Sequence, residues 1–214
     1  MKNSIEGIIY DLDGTIIDTS ALHQSGWIHA ATVYGVKLTA EMLQKQSGMP
    51  DADAAKMMLG NIGSSADVEL QEFIKAKQNY VLKNIGNAKV FPDFLETHID
   101  LIRNDAKVWI CTSAAKFFMD AVFENIPELV AFKDKVVYRE MCAKGKPDPE
   151  PLLLTAKKMD VVIWQCLYIG DAYNDYLAAL RAGCLFRYFL RGTRDEKIPL
   201  VKAIFNHKEI LNIL

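Results

Sequence analysis

At 214 residues, half of them hydrophobic and 24 % charged, the chain has the apolar mass for a sizeable core and the length of one large domain or a core with an insert. A formal net charge of −2 leaves no electrostatic footprint for nucleic acid, and no cluster of Lys and Arg marks a membrane surface. Met1–Glu6 lack the apolar stretch of a signal peptide and no apolar run reaches bilayer-crossing length, so a cytoplasmic protein is expected, as a monomer or weak dimer.

In chain order, Gly7-Ile8-Ile9-Tyr10 is a short apolar run that stops at Asp11, the pattern of a buried parallel strand. The stretch that follows carries helical periodicity over His23–Tyr34, Ala40–Gln46, Ala54–Leu59 and Val68–Ile85, with no convincing strand. Further strand-like runs are Val108–Cys111, ending at Thr112-Ser113, and Cys166–Ile169, ending at Gly170-Asp171. Val136–Tyr138, Leu185–Leu190 and Ala203–Phe205 are weaker strand candidates. Helical patterns cover Phe117–Asn125, Glu150–Met159 and Asp175–Ala182. This alternation predicts an α/β fold, a doubly wound parallel sheet with helices on both faces. The expected division is a Rossmann-like core of residues 1–17 and 88–214, with residues 18–87 inserted as a helical cap. Cys111, Cys142, Cys166 and Cys184 form no C-x-x-C pair and read as buried reduced thiols.

Ligands of open parallel sheets bind beyond the carboxyl ends of the strands. Three of the expected strands end in Asp11, Thr112-Ser113 and Asp171, so distant polar residues converge on one edge. In Asp11-Leu12-Asp13-Gly14-Thr15, strand alternation points Asp11 and Asp13 to one side. Two like charges that close require a cation or a shared proton, and Gly14 permits a sharp change of direction just beyond them. The plainer reading of these five residues is an Asp-Gly turn closing a hairpin. Thr112 and Ser113 by themselves also fit a helix cap, Lys146 an exposed lysine with Lys144 as a rival, and Asp175 a helix start. Asp171 at a strand end is hard to explain without a ligand.

Asp11-Leu12-Asp13-Gly14-Thr15 followed by Asp18 resembles the first motif of the haloacid dehalogenase superfamily of phosphotransferases. Thr112-Ser113, Lys146-Pro147-Asp148-Pro149 and Gly170-Asp171-x-x-Asn174-Asp175 resemble the second, third and fourth, in order, so the likeness spans the chain. The helical insert resembles that of the phosphoglycolate phosphatase and β-phosphoglucomutase subgroup. Members named for dehalogenation lack the second aspartate of motif one, so Asp13 speaks against that activity.

The resemblance implies a Mg²⁺-dependent phosphatase acting on a small phosphorylated metabolite, a sugar phosphate among the options. Asp11 would attack phosphorus and form an aspartyl-phosphate, while Asp13 protonates the leaving oxygen and then activates water. Asp11, Asp171 and the Asp13 carbonyl would hold Mg²⁺ through oxygen. Lys146, Thr112 and Ser113 would bind the phosphate, and Asp175 would support Lys146 and the metal shell. Asn174 is peripheral on this reading.

His23, on the first cap helix, matches a histidine of β-phosphoglucomutase-like enzymes and is a candidate to contact Asp13 or the leaving group; packing is the plainer role. Ser47-Gly48-Met49-Pro50-Asp51 resembles the family's specificity loop. It lacks the arginine that grips a second phosphate in the mutases, and Asp51 would repel one; Lys77 is the candidate substitute. Asp93, where relatives usually have Gly, is a second departure, expected to leave the chemistry intact. Hydrolysis is therefore expected, with a β-phosphoglucomutase-type isomerase as the alternative and a catalytically silent binding protein as a more distant one.

Overall fold

The computed structural model of the protein describes residues 5–46, 49–60, 69–191 and 195–213. Its chain divides into two compact units, residues 1–18 with 89–214, and residues 19–88. The larger unit is built on a six-stranded parallel sheet. Its strands are β1 (Gly7–Tyr10), β4 (Lys107–Cys111), β5 (Val136–Val137), β6 (Cys166–Gly170), β7 (Leu185–Phe189) and β8 (Ala203–Ile204), in the order β5-β4-β1-β6-β7-β8. β1 is central, with Ile9 paired to Trp109 on one side and Tyr168 on the other. A two-residue ribbon, β2 (Ile17–Asp18) against β3 (Lys89–Val90), stands where the chain leaves and re-enters this unit.

Alternation along β1 sends its side chains to two different helical layers. Ile9 joins a buried cluster with Cys111, Tyr168, Leu152 and Ala156 of α7 (Glu150–Met159), and Ala178 and Ala179 of α8 (Tyr173–Ala182). Tyr10 points the other way and meets Phe94 of α5 (Pro92–Arg103) edge to face, ring centroids 5.2 Å apart. The expected doubly wound sheet is thus present, with helices on both faces. One helix escapes the periodicity reading: α5 opens with Pro92 at its first turn, where the missing N–H is harmless, and buries Phe94, Thr97 and Leu101. Helix α6 (Lys116–Asn125) connects β4 to β5.

The smaller unit holds α1 (Ser20–Tyr34), α2 (Ala40–Lys45), α3 (Asp51–Gly60) and α4 (Leu70–Asn84). Gly35 in the left-handed conformation ends α1, and the Thr39 hydroxyl caps α2 by accepting from the Met42 nitrogen at 3.2 Å. Trp27, Ala30 and Ala31 of α1 pack with Ala54, Ala55 and Met58 of α3 and with Phe73 and Ile74 of α4. Gly26 brings α1 close to α4, since a Cβ there would stand 3.0 Å from Val81. Helix α3 begins at Asp51, earlier than the apolar pattern suggests, because Asp51 and Asp53 supply the negative charge that a first turn favours. Val68, Ser47 and Gly48 lie outside the described residues.

Candidate active site

The backbone first turns at the end of β1. The Asp11 nitrogen donates to the Ile169 carbonyl at 2.8 Å, which keeps the strand in register to its last residue. The Ile16 nitrogen then donates to the Leu12 carbonyl at 2.8 Å and the Gly14 nitrogen to the Ile17 carbonyl at 2.8 Å, closing a tight loop with Asp13 on it. Gly14 has φ +76°, and a Cβ there would lie 2.1 Å from Asp171 Oδ2. Glycine is required twice, by conformation and by the carboxylate pressed against it.

Asp171 follows β6 directly, so it reaches the same sheet edge as Asp11. Carboxylate oxygens of Asp11, Asp171 and Asp175 all come within 4.8 Å of one another. Lys146 Nζ lies 2.6 Å from Asp11 Oδ1, 2.6 Å from Asp175 Oδ1, 2.8 Å from the Tyr168 hydroxyl and 3.4 Å from the Cys111 carbonyl. The Tyr168 hydroxyl donates to Asp175 Oδ1 at 2.6 Å, and the Ala172 nitrogen donates to Oδ2 at 3.0 Å, which fixes Asp175 in the first turn of α8. Three donors therefore occupy Asp175, leaving Asp171 and the second oxygen of Asp11 as the carboxylate ligands best placed for a cation.

Among the described residues, the buried Asp11 and Asp175 and the half-buried Asp171 face one buried ammonium, and the electrostatics register the imbalance. Burial first, then the neighbouring Asp175 and Asp13, push Asp11 up to about 7 against the pull of Lys146. Burial and the charges of Asp11 and Asp175 hold Asp171 well above the usual carboxylate range. Burial works against the charge on Lys146, yet Asp11 and Asp175 outweigh it and keep the amine protonated. A divalent cation against Asp11 and Asp171 would reverse both carboxylate shifts. The donor set, all hard oxygen, suits Mg²⁺.

On the neighbouring strand, Thr112 is buried just past β4 and its Oγ1 accepts from the Ala114 nitrogen at 3.0 Å; Ser113 is exposed. Both line a small open pocket with Arg139, Gly145 and Lys146. Lys146 is thus the lysine at the site, while Lys144 is exposed and pairs with Asp148 at 3.8 Å. Tyr168 is a site member that sequence reasoning passes over, because it sits inside an apolar run; its position three residues before Asp171 is the only signal, since strand alternation decides where its hydroxyl points.

In the smaller unit, His23 lies in the first turn of α1, its nitrogen donating to the Thr19 carbonyl at 2.9 Å. Lys77 of α4 is buried, with Nζ 2.6 Å from Asp51 Oδ1 and 5.3 Å from the centre of the Trp27 ring. The cation expected to stand in for the missing arginine is instead neutralised by the aspartate of the same loop.

Known proteins place this geometry. Residues 8–188 match the family of haloacid dehalogenase-like hydrolases. Among curated relatives, a phosphorylated carbohydrates phosphatase of Thermotoga maritima is 23 % identical over 98 % of this chain and 98 % of its own. A phosphoglycolate phosphatase of Shigella dysenteriae is 24 % identical over 84 % of this chain and 79 % of its own. Among solved structures, a β-phosphoglucomutase of Clostridium difficile superposes with a TM-score of 0.72 at 23 % identity, over 96 % of this chain and 93 % of that one. With the matched span running from β1 to β7, and Asp11 and Asp171 inside it, the chain belongs to the haloacid dehalogenase-like hydrolases.

Proposed function

We propose that the protein is a Mg²⁺-dependent phosphatase that hydrolyses small phosphomonoesters, phosphorylated carbohydrates among them, through an aspartyl-phosphate on Asp11. The observation that carries this reading is the convergence of Asp11, Asp171 and Asp175 within 4.8 Å, with Lys146 bridging the first and last. Asp11 and Asp171, with the Asp13 carbonyl, are the proposed metal ligands. Bound there, Mg²⁺ offsets the repulsion between the Asp11 carboxylate and an incoming phosphate dianion. Lys146 and Thr112 then hold the phosphoryl oxygens, with Ser113 and the backbone amides beside it.

In the first half-reaction an Asp11 oxygen bonds to phosphorus and the bond from phosphorus to the ester oxygen breaks. The Asp13 carboxyl gives its proton to that leaving oxygen. In the second, Asp13 takes a proton from water, the water oxygen bonds to phosphorus, and the acyl-phosphate bond breaks to free inorganic phosphate and Asp11. Asp175, fixed by Tyr168 and the Ala172 nitrogen, keeps Lys146 in place.

The Asp51–Lys77 pair favours hydrolysis over isomerisation, because a mutase has to hold a second phosphate while its intermediate turns over. The test is a panel of phosphorylated metabolites with Mg²⁺, followed by free phosphate. One arm offers β-glucose 1-phosphate with catalytic glucose 1,6-bisphosphate and follows glucose 6-phosphate as well. Phosphate release that chelation abolishes supports the proposal. Efficient glucose 6-phosphate formation with little free phosphate would establish the isomerase instead.

A further inference from the structure

Against the face of β1 that turns away from Leu152 and Ala156, three ionisable side chains from distant segments meet. Asp93, in the first turn of α5, accepts from the His207 backbone nitrogen at 2.9 Å through Oδ2, and the same oxygen lies 3.2 Å from His207 Nδ1. Its Oδ1 accepts from Arg191 Nη2. The Arg191 guanidinium lies over the rings of Phe91 and Phe189, 4.1 and 4.5 Å from their centres. His207 is fully buried, its ring centroid 4.2 Å from that of Phe189 and 5.6 Å from that of Tyr10.

Burial pulls the His207 imidazole down to about 4 despite the opposing charge of Asp93, so the ring is neutral at pH 7. A neutral ring carries one N–H, and the Asp93 carboxylate beside Nδ1 favours placing it there. The Thr15 backbone is close enough to act on that ring, yet Nε2 has no partner of hydrogen-bonding geometry among the described residues. Neither does the Tyr10 hydroxyl nor Thr15 Oγ1, both buried. Each such group costs about 1–3 kcal/mol relative to a satisfied or apolar one. Apolar packing would serve plain stability better. Tyr10 immediately precedes Asp11 and Thr15 immediately follows Gly14, so the ring underlies both ends of the segment that carries Asp11 and Asp13.

We propose that Asp93 is a positioning residue: held by Arg191 and acting through His207, it fixes the segment from Tyr10 to Thr15 and hence the placement of Asp13 relative to Asp11. This revises the expectation that Asp93 leaves the chemistry intact. Its kinetic consequence rests on the phosphatase reading; its structural consequence does not.

Asp93→Asn keeps the shape and removes the charge. Two readouts follow it: kcat and KM for phosphate release, and hydrogen exchange of the Gly14 and Thr15 amides, which donate to Ile17 and Leu12. The expected result is a kcat lowered about tenfold with KM within about twofold, and faster exchange at Gly14 and Thr15 while the amides of β6 keep their protection. A folded variant with normal kcat and unchanged Gly14 and Thr15 exchange overturns the proposal. So does exchange that rises equally throughout the sheet, which is loss of stability and nothing more. Should Asp93→Asn fail to fold, Arg191→Gln removes only the outer charge and is read by the same criteria. If the wild-type protein releases no phosphate from any substrate, the phosphatase reading fails, and the exchange pattern decides this one by itself.

Discussion

Two buried lysines, one in each unit, show how differently the same side chain can be used. Among the described residues Lys77 is matched to one carboxylate, Asp51, at 2.6 Å, with the Trp27 ring beside it. Lys146 is outnumbered: Asp11 and Asp175 each at 2.6 Å, and Asp171 in the same carboxylate group. The balanced pair finishes a helix–helix contact and asks for nothing more. The unbalanced cluster is left with negative charge that its own protein does not neutralise, and that surplus is what a cation and then a phosphate can use. Counting charges against partners separates a structural buried lysine from one poised for chemistry.

The largest effect that would break this contrast is expected at Asp11. Asp11→Asn keeps the shape and removes the proposed nucleophile, so kcat for phosphate release should fall by a factor equivalent to on the order of 4 kcal/mol of barrier or more. A variant with over about a tenth of normal turnover would refute the assignment.

Acid should weaken the larger unit through His207, whose folded value of about 4 lies below the unfolded 6.5. Between those values the unfolded chain binds the extra proton, so stability falls as pH drops through that window and levels off below it. The His207 contribution is at most about 3 kcal/mol, read from urea unfolding at a series of pH values as the difference between the wild type and His207→Gln. The difference is needed because the raised Asp11 and Asp171 take up protons in the folded state over the same range and oppose it.

Mg²⁺ should stabilise the protein by about 2.7 kcal/mol at a hundred times its Kd. Asp171→Asn removes one of the crowded carboxylates, so it should raise the Tm of the metal-free protein and abolish the response to Mg²⁺. A Tm that still rises with Mg²⁺ in that variant would remove Asp171 from the ligand set.

The smallest effect belongs to the balanced pair. Lys77→Met leaves Asp51 partly exposed and still held by the Gln78 amide at 3.1 Å, so stability should drop by about 1–2 kcal/mol while phosphate release survives. Loss of turnover in a folded Lys77→Met protein would mean that Lys77 serves the chemistry after all.

Much of this was legible before any coordinates. The six strands follow from short apolar runs, and their ends at Asp11, Thr112 and Asp171 announce a shared edge because the topology of a parallel sheet puts carboxyl ends together. What escaped has a common physical cause: partners far apart in sequence. Tyr168 reads as one more apolar residue until Lys146, over twenty positions earlier, meets its hydroxyl. Asp93 stands out as an oddity in place of glycine, but Arg191 and His207 lie about a hundred residues downstream, and no local pattern joins them. Helix α5 escapes for a local reason: it opens on a proline, which no apolar periodicity announces as a start.

The central place of β1 has a consequence for how the chain is made. Gly7–Tyr10 pair with Cys166–Ile169, so both edges of the first strand are covered only after some 160 further residues have been synthesised. At translation rates of about 5–20 residues per second, that strand waits on the order of ten seconds for its second neighbour. Residues 19–88, by contrast, form a contiguous segment with its own apolar cluster, and every contact within it is available long before the sheet can close. The order of events at the ribosome is therefore the reverse of the order of importance: the unit that carries the chemistry begins first and is completed last.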